Sequence, residues 1–212
     1  MATTFKTLTN NDVASTRTLL HEAIPITGTI CSGTYIADAN IKNYSHGMFQ
    51  TVYDYPFLSS SANQIFDITF GYSSNSPLSG AANSQNAKKI NIYNQMAQVL
   101  VGHDATGSIK DFDKDGDLSG GTKITDAIFL NFARLLSKDE IKKGSFEIKV
   151  LTGSTTAAPS DTLTISDYQG STNYRTNSPA GEYGILYTSS ASPIASSGVG
   201  LVYYQAGVVV LT

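Results

Sequence analysis

Charge is the scarcest commodity in this chain: Asp, Glu, Lys and Arg supply 15% of 212 residues against an ordinary apolar share of 41%, where a soluble domain typically carries about a quarter. Hydroxyl and amide groups must wet the surface instead, which suits a protein whose faces are covered by neighbours or sugars. The formal net charge of −3, without any Lys/Arg cluster, gives no electrostatic footprint for a phosphate backbone, so no nucleic-acid partner is expected. A polybasic stripe for a membrane surface is missing too. Cys31 is the only cysteine, which excludes an intrachain disulfide and leaves a zinc site short of thiolates. A small buried hydrophobe is its expected role. No segment approaches the roughly 18 apolar residues of a membrane span, and the opening Met-Ala-Thr-Thr-Phe-Lys lacks a signal-peptide core.

Signatures of catalysis are equally scarce. His21, His46 and His103 sit in separate segments, and the chain contains no Gly-x-Ser-x-Gly, no His-Glu-x-x-His, no phosphate loop and no dinucleotide glycine pattern. Glu22, Asp38, Asp54 and Asp67 are scattered acids whose spacing across a fold cannot be read. No enzymatic turnover is expected.

What is present reads as one domain in three parts: an N-terminal helix and aromatic segment (1–62), a core (63–150) and a β-rich remainder (151–212). Residues 10–23 read as a short helix ended by Pro25, and 24–36 as extended. Gln64–Tyr72 alternates as a strand. Ile90, Tyr93, Met96, Ala97 and Leu100 recur at helical spacing over 85–101, and Ile124, Ile128, Phe132, Leu135 and Leu136 repeat the pattern over 123–136. Ser137-Lys-Asp-Glu140 matches a capping box that starts a further turn ending at Gly144. Phe146–Leu151, Leu163–Ile165, Tyr183–Tyr187 and Val199–Leu211 read as strands. The expected fold class is α+β: an antiparallel sheet or sandwich packed against two central helices, with a β-rich C-terminal third.

The acidic loop between the two expected helices carries Asp111, Asp113, Asp115, Gly116 and Asp117. Carboxylates at alternate positions before a glycine fit the opening of a calcium loop, although the twelfth position is Thr122, where a bidentate acid is wanted. Asp117 and Asp104 are the spare ligands. The other reading is a hairpin from Ile109–Phe112 through Asp113-Lys114-Asp115-Gly116 into Asp117-Leu118. No cofactor is expected beyond that optional calcium.

Two segments offer contact surface. The irregular stretch 37–62 carries Tyr44, Phe49, Tyr53, Tyr55 and Phe57, each a large apolar area at little entropic cost. The nearly continuous apolar run 199–211, with Tyr203, Tyr204, Val208, Val209 and Val210, must be a central strand or be completed by another subunit, because an uncovered apolar edge recruits other strands.

The stretches Asn40–Gln50, Ala87–Leu100, Phe129–Phe146 and Ser178–Tyr187 together resemble virion structural proteins of tailed bacteriophages, especially contractile-tailed phages of marine cyanobacteria. The resemblance implies a non-enzymatic part of the particle, in the tail, baseplate or neck, made in the host cytoplasm without a signal peptide. Its implied partners are other virion structural proteins and further copies of itself in a symmetric assembly, with no membrane or nucleic acid. The alternative is a calcium-dependent, adhesin-like binding module for a receptor or glycan.

Overall fold

A computed structural model describes residues 39–80, 84–132, 140–152, 161–188 and 197–212. The helix expected at 10–23, the extended segment 24–36, Cys31 and the capping-box start at 137–139 lie outside the described residues. The strands in chain order are β1 (Ile41–Asn43), β2 (Gln50–Tyr53), β3 (Gln64–Tyr72), β4 (Phe112–Asp113), β5 (Lys123–Ile124), β6 (Asp126–Asn131), β7 (Glu147–Thr152), β8 (Asp161–Ser166), β9 (Arg175–Ser178), β10 (Gly181–Leu186), β11 (Gly200–Tyr203) and β12 (Val208–Leu211). Eight of them form one sheet in the order β1-β2-β3-β6-β12-β11-β10-β9, with every pairing antiparallel. Helix α1 (Asn86–Leu100) is the one α-helix among the described residues, beside a 3-10 turn at Pro77–Gly80.

The expectation of an α+β fold with two central helices is therefore overturned: the protein is β-rich. The second helix, expected over 123–136, is instead β5 and β6 as far as the described residues run. Its sequence contains Ile124, Thr125, Ile128, Phe129 and Phe132, β-branched and aromatic types that suit a pleated surface. β6 lies between β3 and β12, with Phe70 opposite Ile128 and Val209 opposite Leu130. β6 is apolar on both faces, with Ala127 and Phe129 on one and Ile128 and Leu130 on the other, and such a run can mimic helical spacing. The terminal run also divides: β11 and β12 form a hairpin in which Tyr203 faces Val208, and Tyr204–Gly207 makes the turn. Two strands of four residues replace one long strand.

Alternation along the central strands sorts their side chains into two cores. Phe129, Leu201, Tyr203, Val208 and Val210 pack on one side with Ile92, Tyr93, Ala97 and Leu100 of α1 and with Phe112 and Ile124. Leu130, Val202, Val209 and Leu211 pack on the other with Ile141, Phe146 and Ile165. Burying a side chain of the Phe129 or Leu201 type contributes about 1.5–3 kcal/mol. α1 has no side-chain cap at Gln85 and no acid in its first turn, so packing of its buried face sustains it. Gly71 of β3 lets that face come close: a Cβ there would stand 2.8 Å from the Tyr93 nitrogen and 2.9 Å from the Lys89 carbonyl oxygen.

Candidate functional site

The acidic loop hangs on the β4–β5 hairpin, which is fixed to α1 by one tyrosine. Tyr93 is fully buried, its hydroxyl donates to the Ile124 carbonyl at 2.5 Å, and it accepts from the Phe112 N–H at 3.2 Å. Phe112 meets its ring edge-on at 5.4 Å. Burial, with Asp111 nearby, raises the Tyr93 phenol far above its ordinary range, so it stays a neutral donor. The hairpin is wider than the tight turn expected over 109–118. Phe112 pairs with Ile124 and Asp113 with Lys123, the Lys114 N–H reaches the Thr122 carbonyl at 3.1 Å, and Ile109 bridges His103 instead.

Three of the four expected acidic ligands converge. Asp113, Asp115 and Asp117 each bring a carboxylate oxygen within 4.8 Å of the others. Asp111 turns away, accepting from Ser73 Oγ at 3.0 Å and Asn75 Nδ2 at 3.3 Å. The spare ligand Asp104 closes its own turn, accepting from Thr106 and Ser108; those bonds, led by the Thr106 hydroxyl, hold its carboxyl below the usual range.

The two oxygens of Asp113 have different fates. Oδ2 accepts from Lys123 Nζ at 2.8 Å, with the Asp113 side chain 0% and the Lys123 side chain 31% exposed. Oδ1 is buried without a hydrogen-bond partner. Burial pushes the Asp113 carboxyl up, against the pull of Lys123. Asp117 is exposed and accepts from the Ser119 N–H at 2.7 Å, which holds its carboxyl down. The Asp117 N–H points back to Asp115 Oδ1 at 3.3 Å.

Backbone geometry wraps the chain around these groups. Gly116, Leu118, Gly120 and Gly121 all have positive φ, at 73°, 62°, 60° and 61°. Leu118 is the one non-glycine residue of this kind among those described, a conformation that costs about 1–2 kcal/mol, and its side chain packs against the first core. A Cβ at Gly121 would stand 3.1 Å from Asp115 Oδ2 and 3.4 Å from Asp113 Oδ1, so both oxygens lie under that glycine. On its outer side the loop is tied to the sheet edge: the Gly116 carbonyl accepts from Tyr183 Oη at 2.8 Å and Asn177 Nδ2 at 3.1 Å. The Asp115 carbonyl faces Arg175 Nη2 at 3.5 Å. Burial pushes the Tyr183 phenol up to about 12.

The expected contact residues separate into two groups. Tyr203, Tyr204, Val208, Val209 and Val210 are buried within the chain's own cores, so the terminal run takes the central-strand alternative. Tyr204 Oη donates to Asp167 Oδ2 at 3.1 Å. Tyr44, Phe49, Tyr53, Tyr55 and Phe57 are all half-buried. Tyr44, His46 and Phe49 form a triangle of rings 5.0–5.3 Å apart on the β1–β2 hairpin, and Tyr53 touches Phe57 at 6.4 Å. Beside the triangle lies an open groove of about 410 Å³ that Met48, Phe49, Ile68, Phe70 and Ile128 line.

Sequence reasoning missed Lys123, Gly121, Leu118 and the anchors Arg175, Asn177 and Tyr183. Lys123 had a local signal, standing ten residues after Asp113 where a hairpin would return; the anchors lie some 60 residues downstream and had none. Comparison with known proteins yields no match: no family model, no curated protein and no solved structure aligns with this chain.

Proposed function

We propose that this protein is a non-enzymatic structural component of a contractile-tailed bacteriophage virion, in its tail, baseplate or neck, held by contacts with other virion proteins and copies of itself. The observation that carries the reading is the ring triangle of Tyr44, His46 and Phe49, half-exposed beside a groove edged by Met48, Ile68, Phe70 and Ile128. Ile128 is 41% exposed although it sits on β6, in the middle of the sheet. Aromatic and Met side chains grouped at a surface are typical of the buried centre of protein interfaces, each on the order of 1,000 Å² or more. The triangle also falls inside Asn40–Gln50, one of the stretches that resemble virion proteins, and low overall charge is what a subunit enclosed by neighbours needs.

Phe49→Asp tests the proposal. Phe49 is half-buried on a hairpin and belongs to neither core, so the purified variant keeps its fold by circular dichroism. Its copy number in particles, counted by mass spectrometry of the virion, falls at least tenfold. Incorporation of the variant at the wild-type level, or recovery of the wild-type chain in host cells but never in particles, contradicts the reading.

A further inference from the structure

We infer that Asp113, Asp115 and Asp117 bind a divalent cation of the calcium type, in a register two residues later than the sequence motif suggests. Acidic residues in a loop are common without an ion, so the weight falls on a separate fact: Asp113 is completely buried, and its Oδ1 has no hydrogen-bond partner while it shares the space under Gly121 with Asp115 Oδ2. A buried carboxylate oxygen with nothing to accept from is a standing cost. A cation placed among the three carboxylates removes that cost and the mutual repulsion together.

Lys123 does not do this work. Its ammonium satisfies only Oδ2, and even with Lys114 counted the loop 113–123 holds three carboxylates against two ammoniums, a net negative charge. The donors are all hard oxygens, with neither histidine nor cysteine in the group, which favours calcium or magnesium over zinc. Calcium accepts an irregular shell of oxygens from loop residues, whereas magnesium demands a near-ideal octahedron. Counted from Asp113, the carboxylates occupy positions one, three and five, and the sharp-turn position six falls on Leu118, the residue held at φ 62°. Asp111, the first ligand in the motif's own register, is committed to Ser73 and Asn75.

An ion here acts beyond the loop. The carbonyls of Asp115 and Gly116 receive Arg175, Asn177 and Tyr183, so a cation that fixes residues 113–117 also clamps the hairpin onto β9, the last strand of the sheet. The inference stands independently of the virion reading.

Terbium luminescence of the full-length protein is the test. The chain has no tryptophan, so tyrosines, Tyr183 foremost, sensitise a bound terbium ion. The wild type shows sensitised emission that CaCl2 displaces, and its melting temperature rises with CaCl2 and falls back with a chelator. Asp115→Asn and Asp117→Asn, both outside the core, each weaken binding at least tenfold, and Asp111→Asn changes it less than twofold. Absence of emission and of any calcium-dependent melting shift in the wild type overturns the inference. So does an Asp111→Asn variant that loses binding as severely as Asp115→Asn.

Discussion

Two buried aspartates attached to opposite cores make an instructive pair. Asp167, just after β8, is fully buried and accepts from the Gly144 N–H at 2.7 Å, the Phe146 N–H at 3.0 Å and Tyr204 Oη at 3.1 Å. Asp113, in β4, is as deeply buried yet receives one lysine on one oxygen and nothing on the other. Both carboxyls are pushed up by burial, but only one has the donors that make burial worthwhile. Asp167 is a brace that joins β8, the approach to β7 and the β11–β12 turn; Asp113 is the residue we infer to be a cation ligand, with one oxygen on Lys123 and the other unpartnered.

The widest separation between them comes from removing the carboxylate. Asp167→Ala leaves the buried Phe146 N–H and Tyr204 hydroxyl unpaired, at about 1–3 kcal/mol for each unsatisfied group, and frees the exposed Gly144 N–H to water, so chemical denaturation registers a loss of at least about 2 kcal/mol. Asp113→Asn in chelator-treated protein changes stability by less than about 1 kcal/mol, because it removes a desolvated charge along with its partial compensation. Equal losses in the two variants would dissolve the comparison.

Acidity sharpens it. Asp167 has its carboxyl above the ordinary value, so the folded protein holds that proton more tightly than the unfolded chain. The contribution is complete below the ordinary carboxylate range and is lost as pH rises through the raised value. The stability gap between wild type and Asp167→Asn therefore narrows from acid toward neutral pH, as urea midpoints at several pH values will show. A gap that widens would contradict the assignment.

Smaller effects separate brace from ligand more finely. Tyr204→Phe deletes one of the three bonds to Asp167 and costs about 1 kcal/mol with calcium or without it. Gly121→Ala forces a side chain onto a residue at φ 61° and to 3.1 Å from Asp115 Oδ2. It costs about 1 kcal/mol in thermal or urea unfolding and also weakens the calcium-dependent melting shift.

Much of this architecture was readable locally. Gln64–Tyr72 alternates in residue type, with Phe66, Ile68 and Phe70 opposite Asp67, Thr69 and Gly71, although burial along β3 does not follow that alternation; α1 keeps Tyr93, Ala97 and Leu100 at helical spacing because one face alone meets the sheet. The central strands defeated the same reasoning. Phe129 and Leu130 are neighbours that enter different cores, so the run lost its period of two and read as a helix. Tyr204 and Gly207 sit in a turn without a Pro-Gly or Asn-Gly signal, and the hairpin they make read as one strand. In the acidic loop the carboxylates were visible, but their register was not: whether Asp111 or Asp117 joins Asp113 and Asp115 depends on Ser73 and Asn75, almost 40 residues upstream.

The most direct measurement is the anomalous X-ray signal from a crystal of the protein soaked in terbium. The account predicts one strong peak bounded by the carboxylates of Asp113, Asp115 and Asp117, with Asp113 Oδ1 among its ligands, and none beside Asp167. A peak at Asp111 in place of this one, or no peak among the three carboxylates, would contradict it.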